Sequence, residues 1–214
     1  MTAITTGITD CCTEGRAPLI TTTYREGSGD TGTTTTAPAT RGDKCDELVA
    51  LLWGQLSKLQ PTLKKTTPYF LDDDVRAYLH WVWENIRSMS SLAYVEGATD
   101  RHAFPQRAIA YMDMVIGMRK DEVGGSPSFI QWEHEHLLEM ELLWAEVRCT
   151  ELLYRAWAAQ ADINEVVSDR VQTVVTLVNR LSSYLWWSMR SENKARGMRE
   201  LVWQGYVTEF PFSI

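Results

Sequence analysis

The densest group of candidate metal ligands lies at residues 132–136, which contain two glutamates and two histidines. Glu133 and His136 have the Glu-x-x-His spacing of di-iron sites in helical bundles, since residues three apart share a helix face. Such a site needs a second histidine, and His80 is the candidate, although Ala77 stands where its glutamate would be. The alternative is an ordinary helix start, where acidic residues favour the dipole. We prefer this second interpretation.

Four basic residues lie close together near the end of the chain and could contact nucleic acid or an acidic partner. The alternative is that they complement the dipole at the C-terminus of a helix, and this is the preferred interpretation. The net charge of −7 and the pI near 5.2 also argue against nucleic acid, except through such a local patch. The patch consists of Arg190, Lys194, Arg196 and Arg199.

Nine tryptophans and eight tyrosines supply large rings that suit interfaces as well as cores. Trp186 and Trp187 are neighbours and point about 100° apart on a helix, so only one can follow an internal seam. Phe210 and Phe212 alternate in an extended tail that could dock in a groove. With Trp203, these four residues are the predicted interface candidates.

Recognisable catalytic and cofactor motifs are missing from the sequence. Gly124-Gly125 lacks the further glycines and the lysine of a phosphate-binding loop. The four cysteines do not have the paired spacing of a zinc site. The sequence therefore predicts no catalytic residue and no cofactor.

Apolar residues recur at helical spacing in five long segments. The first runs from Asp43 and should close at Pro61, and the third begins near Pro105. The fourth should extend from Ser128 to Gln160, with apolar residues in nearly every direction, which places it at the centre. A short sixth helix is predicted around Met198 to Gln204.

The second and fifth helices carry the clearest seams, with apolar residues spaced 4-3-4-3-4. The second helix should start at Asp72 to Asp74 and end near Gly97, and the fifth should be capped by Asp162. A strand at residues 171–178 is the minority alternative, because valine favours sheets. The seam of the second helix is Val75, Leu79, Val82, Ile86, Met89 and Ala93. The seam of the fifth is Val167, Val171, Val174, Val178, Leu181 and Leu185.

The predicted fold is an all-α bundle of about five main helices at residues 43–205. Residues 1–42 are rich in threonine and poor in large apolar residues, which predicts an extended or disordered arm. Residues 206–214 should form an extended aromatic tail.

Composition and motifs together favour a non-catalytic structural or assembly protein that self-associates or joins a larger complex. The alternatives are a monomeric adaptor for a partner protein and a metal-dependent enzyme built in a helical bundle. No apolar run is long enough to span a membrane, and the N-terminus is unlike a signal peptide. We expect a soluble intracellular protein, cytoplasmic or within an assembled particle.

Overall fold

A computed structural model describes residues 33–36, 40–43, 48–94, 104–125, 130–160 and 165–202. The described residues form an all-α bundle, which confirms the predicted fold class. None of the helices described is long and apolar enough to cross a membrane. The helices are α1 (Leu48–Thr66), α2 (Asp73–Tyr94), α3 (Phe104–Val123), α4 (Glu135–Gln160) and α5 (Glu165–Ala195), and a 3-10 turn (Thr67–Tyr69) follows α1.

The centre of the bundle is α5, which packs against α2, α3 and α4, while α1 lies between α2 and α4. The expectation that α4 would be central is wrong. Its outward apolar residues Leu138, Leu142 and Leu152 are 45%, 60% and 57% exposed. Residues 187–193 of α5, by contrast, are buried in every direction around the helix.

The two predicted seams form the core of the bundle, and residues 171–178 are helical. Their members face each other because a 4-3-4-3-4 pattern keeps one side of each helix apolar. The side chains of Met89, Ala93, Val167 and Val171 lie outside the described part of the chain. The buried members are Val75, Leu79, Val82, Ile86, Val174, Val178, Leu181 and Leu185.

Helix α1 continues past Pro61 to Thr66, so the prediction that this proline closes the helix is wrong. Proline removes the hydrogen bond to the Ser57 carbonyl. Leu59 and Leu63, on either side of it, are almost fully buried, and their packing holds the helix together. The helix ends where the Thr66 hydroxyl donates to the carbonyl four residues earlier, at 2.8 Å.

A short antiparallel pairing replaces two predicted helical segments. Strand β3 (Ile130–Gln131) pairs with β4 (Leu201–Val202), so α4 begins at Glu135 and not at Ser128. The predicted helix around Met198 to Gln204 is therefore wrong within its described part. Gly197 adopts a positive φ of 68° after α5, which ends the helix and turns the chain toward β3.

The described part of the threonine-rich segment is an antiparallel pair of strands, β1 (Thr33–Thr36) and β2 (Thr40–Asp43). Threonine is β-branched and favours this extended backbone. The rest of residues 1–42, the tail at 206–214, and the predicted helix signals Gly97 and Asp162 lie outside the described residues.

Candidate functional site

The predicted metal ligands are not brought together. His80 lies on α2 with a side chain 61% exposed, and its Nδ1 is 3.6 Å from Glu84. Glu133 is exposed just before α4, whereas the ring of His136 stacks on Tyr69 at 4.4 Å between centroids. Among the residues with described side chains, no group of three or more His, Cys, Asp or Glu could hold a metal ion.

The histidines of this segment instead build the start of α4. The His134 carbonyl accepts from the Leu137 and Leu138 amides, and its Nδ1 lies 3.1 Å from the His136 amide. His136 then lines a shallow cavity of about 340 Å³, together with Tyr69 and Leu138. The dense ligand pattern in the sequence is thus largely a helix cap.

The predicted basic patch is divided between the interior and the surface. Arg190 is only 2% exposed and forms two hydrogen bonds with Glu200, at 2.7 and 2.9 Å. Its guanidinium also donates to the Gly124 carbonyl at 3.2 Å and lies over the Trp187 ring. Arg190 therefore ties the end of the described chain to α5 and is not exposed to a ligand at the surface.

The remaining members of the patch also make internal contacts or lie apart. Lys194 is exposed and donates to the Glu122 carbonyl at 2.6 Å. Arg196 donates to Glu192 at 3.1 Å and to a backbone carbonyl. Arg199 is exposed beyond the end of α5.

Of the predicted interface candidates, the two tryptophans whose side chains are described pack against other residues of the same chain. Trp186 is half-buried against Trp132 and Trp144, with ring centroids 5.8 and 5.7 Å away. Trp187 is 9% exposed and has Lys120 over its ring at 5.5 Å. Trp203, Phe210 and Phe212 lie outside the residues whose side chains are described.

A polar cluster that sequence reasoning missed joins α4 to α5. Glu151, on α4, is 2% exposed and accepts three side-chain hydrogen bonds. They come from Arg148 at 2.7 Å, Arg155 at 2.8 Å and, across the helix interface, Asn179 of α5 at 2.8 Å. We call these four residues the Glu151 cluster.

The geometry of the Glu151 cluster fixes two guanidinium groups at the surface. A buried carboxylate must be paired, and here its partners are arginines whose side chains remain 41% and 54% exposed. Each guanidinium has five N–H donors, and within the described part of the chain it uses one of them on Glu151, which leaves the others for a ligand. With two cations to one anion, the cluster suits an anion that has several oxygens, such as a polyphosphate.

The sequence holds part of the signal for this cluster. Arg148, Glu151 and Arg155 are spaced three and four apart, which places them on one face of a helix. Such spacing is usually a solvated ion-pair row. The buried carboxylate and the contribution of Asn179 become visible only when α4 and α5 are packed together.

A second polar network lies where α2 begins and where α3 and α5 end. The Asp72 carboxylate accepts from the Asp74 and Val75 amides, so it caps α2, and it also pairs with Arg119. Arg119 bonds to Glu122 at 2.9 Å, and Glu122 accepts from a serine of α5. We call this the Arg119 network.

Burial would raise the pKa of both carboxylates in the Arg119 network, but hydrogen bonds reverse this effect. The Val75 amide and the Arg119 guanidinium hold the pKa of Asp72 below its ordinary value. Arg119 and Ser191 do the same for the pKa of Glu122. Both groups are therefore ionised at neutral pH.

The solved structures with a similar fold include three variants of a PduO-type ATP:corrinoid adenosyltransferase from Lactobacillus reuteri. A Phe-to-Ala variant complexed with cobalamin and ATP is 16% identical, with a TM-score of 0.62 over 85% of this chain and 99% of that chain. A Phe-to-His variant with the same ligands is 18% identical, with a TM-score of 0.62 over 85% and 96%. An Arg-to-Lys variant complexed with ATP is 15% identical, with a TM-score of 0.60 over 85% and 100%. No curated protein sequence matches the chain at a significant level.

A sequence model of the family described as cobalamin adenosyltransferase matches residues 24–192. This match covers most of the chain, including the Glu151 cluster and all five helices up to the last turn of α5. Its members are enzymes, so the expectation of a non-catalytic structural or assembly protein is wrong. That expectation depended on the lack of a catalytic motif. Such a lack is weak evidence against an enzyme, because functional residues that come from different helices form no motif in the sequence. The chain belongs to the cobalamin adenosyltransferase family.

Proposed function

We propose that this protein transfers the adenosyl group of ATP to a corrinoid. The observation that carries the proposal is the family match over residues 24–192. The fold supports it, because the similar solved structures include complexes with cobalamin and ATP.

The Glu151 cluster is the proposed site for the triphosphate of ATP. Transfer of the adenosyl group breaks its bond to the triphosphate, so a highly charged anion leaves. Arg148 and Arg155 can hold that anion with N–H groups that Glu151 does not use. The buried carboxylate keeps both side chains oriented before ATP arrives, which reduces the entropy lost on binding.

Direct transfer between two bound substrates explains why no catalytic motif stands out in the sequence. The protein must bind both molecules and align the acceptor with the adenosyl carbon, and it need not form a covalent intermediate. Binding residues of this kind come from several helices and follow no fixed sequence spacing.

The test is adenosyl transfer by the full chain, with ATP and chemically reduced cobalamin, followed by the change in the corrinoid absorption spectrum. We expect turnover by the natural sequence. Arg155→Ala should weaken ATP binding about tenfold, because it removes a charge-assisted contact to phosphate.

The matched control is Arg107→Ala, which removes an exposed arginine from α3, on a different part of the bundle. It should leave ATP binding unchanged. Failure of the natural protein to form the adenosylated corrinoid would contradict the proposed function. Equal ATP affinity for the Arg155 and Arg107 variants would contradict the proposed triphosphate site alone.

We further propose that the protein self-associates through the outer face of α4. The exposed residues Leu138, Leu142, Cys149 and Leu152 follow, with Ala145, the same 4-3-4-3 spacing as the internal seams. An apolar row of this length on the outside of a helix favours burial against another helix. A second copy of this chain is the proposed occupant, since one copy's row can pack on the other's. The row runs beside Arg148 and Arg155, so the partner would also border the triphosphate site.

A further inference from the structure

The outer face of α3 carries an apolar groove that no described residue covers. Met114 and Met118 are 55% and 62% exposed, although methionine is among the residues most often buried. They lie four residues apart, so their side chains share one face of the helix. Ala110 and Gly117 are exposed on the same face. We call these four residues the α3 groove.

The α3 groove suits an aromatic side chain. No described atom lies within 4 Å of the position that a Cβ would take at Gly117, so the helix backbone is open there. A flat ring can lie on this backbone with a methionine on either side of it. Contacts between methionine sulfur and aromatic rings are favourable, and the unbranched methionine side chain adapts its shape to the ring.

The chain leaves the described part of the bundle beside this groove. Strand β4 runs antiparallel to β3, with Val202 opposite Ile130, so the chain after Val202 heads toward the residues that join α3 to β3. Arg190 gives a second sign of this proximity. Its guanidinium binds both Glu200, just before β4, and the carbonyl of Gly124, just after α3. The segment that follows β4 therefore starts next to the last turn of α3.

This segment is long enough to cover the groove. Phe210 is eight residues beyond Val202, which is about 26 Å of extended chain at about 3.3 Å per residue. Met114 is ten residues before Gly124, which is about 15 Å along α3 at about 1.5 Å per residue. The composition also fits, because Phe210 and Phe212 alternate and would place both rings on one side of an extended chain.

We propose that residues 206–214 dock on the α3 groove of the same chain. The rings of Phe210 and Phe212 pack against Met114 and Met118, and one of them lies over Gly117. Because the segment is tethered beside the groove, its local concentration there is high, and a small apolar contact is enough to hold it. The same tether favours docking within one chain over docking on another copy. The docked segment covers the outside of α3, whose main neighbour in the described bundle is α5.

The first test is NMR of the full chain with isotope-labelled methionine methyl groups. Met114→Leu and Met118→Leu assign the two signals, because each variant removes one of them. We expect both signals upfield of free methionine, since an aromatic ring shields a methyl group that lies against its face. Phe210→Leu combined with Phe212→Leu should return both signals toward free methionine. The matched control is Ser213→Ala, on the other side of an extended segment, and it should leave both signals in place.

The second test is proteolysis, which measures how often the segment leaves the groove. Chymotrypsin cuts after aromatic residues, and cleavage within residues 206–214 requires the undocked state. Met118→Lys should accelerate this cleavage about tenfold, because it places a charge in the apolar contact. Leu51→Lys is the matched control, since Leu51 is 56% exposed on α1, and its cleavage rate should equal that of the natural protein. Both substitutions are at exposed positions, so the bundle should stay folded.

Unchanged methionine signals in the double phenylalanine variant would overturn the proposal, and so would equal cleavage rates for the two lysine variants. Docking on another copy is tested with a mixed sample. The double phenylalanine variant carries the labelled methionines and is refolded together with unlabelled natural protein. If the upfield signals return in this sample, the segment docks on a neighbouring copy, and docking within one chain is wrong.

Discussion

At the scale of single residues, Arg190 connects parts of the chain that are far apart in sequence. Its guanidinium is bonded to Glu200 beyond the end of α5 and to the carbonyl of Gly124 at the end of α3, and it lies over Trp187. The sequence shows a cation near a helix end but cannot show that this side chain is buried. Arg190 is buried because the chain turns back after α5 to form β4, which brings Glu200 to its guanidinium.

Glu200→Gln is expected to destabilise the protein by about 3 kcal/mol, because it leaves the buried Arg190 charge without its counter-ion. Urea unfolding of the two proteins measures this difference. Asp73→Asn is the matched control, since Asp73 pairs with Arg76 at an exposed site. Its effect should stay within about 0.5 kcal/mol. If the two substitutions lower the free energy of unfolding equally, the buried Arg190–Glu200 pair contributes no more to stability than an exposed pair, and the prediction is wrong.

At the scale of elements, periodicity predicted the helices well and their boundaries less well. The seams of α2 and α5 follow directly from apolar spacing, because the apolar face of each helix must be buried and therefore faces the core. Pro61 misled the prediction, since the packing of Leu59 and Leu63 outweighs one missing hydrogen bond. The pairing of β3 with β4 joins segments far apart in sequence, and two-residue strands have no periodicity to detect.

The outer row of α4 gives a prediction about assembly. Leu142→Lys should shift the protein toward the monomer, because it places a charge in the middle of the proposed contact. Light scattering over a concentration series measures the mass. Met118→Lys is the control, since Met118 is 62% exposed on α3 and is not part of this row. A natural protein that is already monomeric at all concentrations, or equal dissociation by both variants, would refute the α4 contact.

At the scale of the whole molecule, three tyrosines from different helices meet inside the bundle. The rings of Tyr78 and Tyr111 are 4.8 Å apart, and those of Tyr78 and Tyr184 are 4.9 Å apart. Burial raises the pKa of Tyr78 and of Tyr184 well above the ordinary value for a phenol. Both side chains are thus held neutral by the fold.

This burial predicts a loss of stability in alkaline solution. The unfolded chain releases these phenol protons near pH 10, whereas the folded chain keeps them, so their contribution is complete below about pH 10 and is lost above it. Urea midpoints measured from pH 8 to pH 11 should fall at the alkaline end. Tyr184→Phe should make this fall shallower, while an identical slope in the variant would contradict the prediction.

The function of the whole molecule was the least accessible from sequence. The fold class follows from spacing alone, but Glu151 and Asn179 belong to helices that meet only in the finished bundle. The Glu-x-x-His pattern at Glu133 and His136, by contrast, stands out in the sequence and proves to surround a helix cap. Local density of polar residues is therefore a poor guide to the proposed triphosphate site.

The central position of α5 has a consequence for how the chain is made. A ribosome releases α1 to α4 first, and the faces of α2, α3 and α4 that pack against α5 stay uncovered until the fifth helix emerges. The last described strand, β4, then closes against β3, which was synthesised much earlier. The nascent chain therefore keeps part of its apolar interior uncovered until α5 has been synthesised, which makes it a natural client for chaperones at the ribosome.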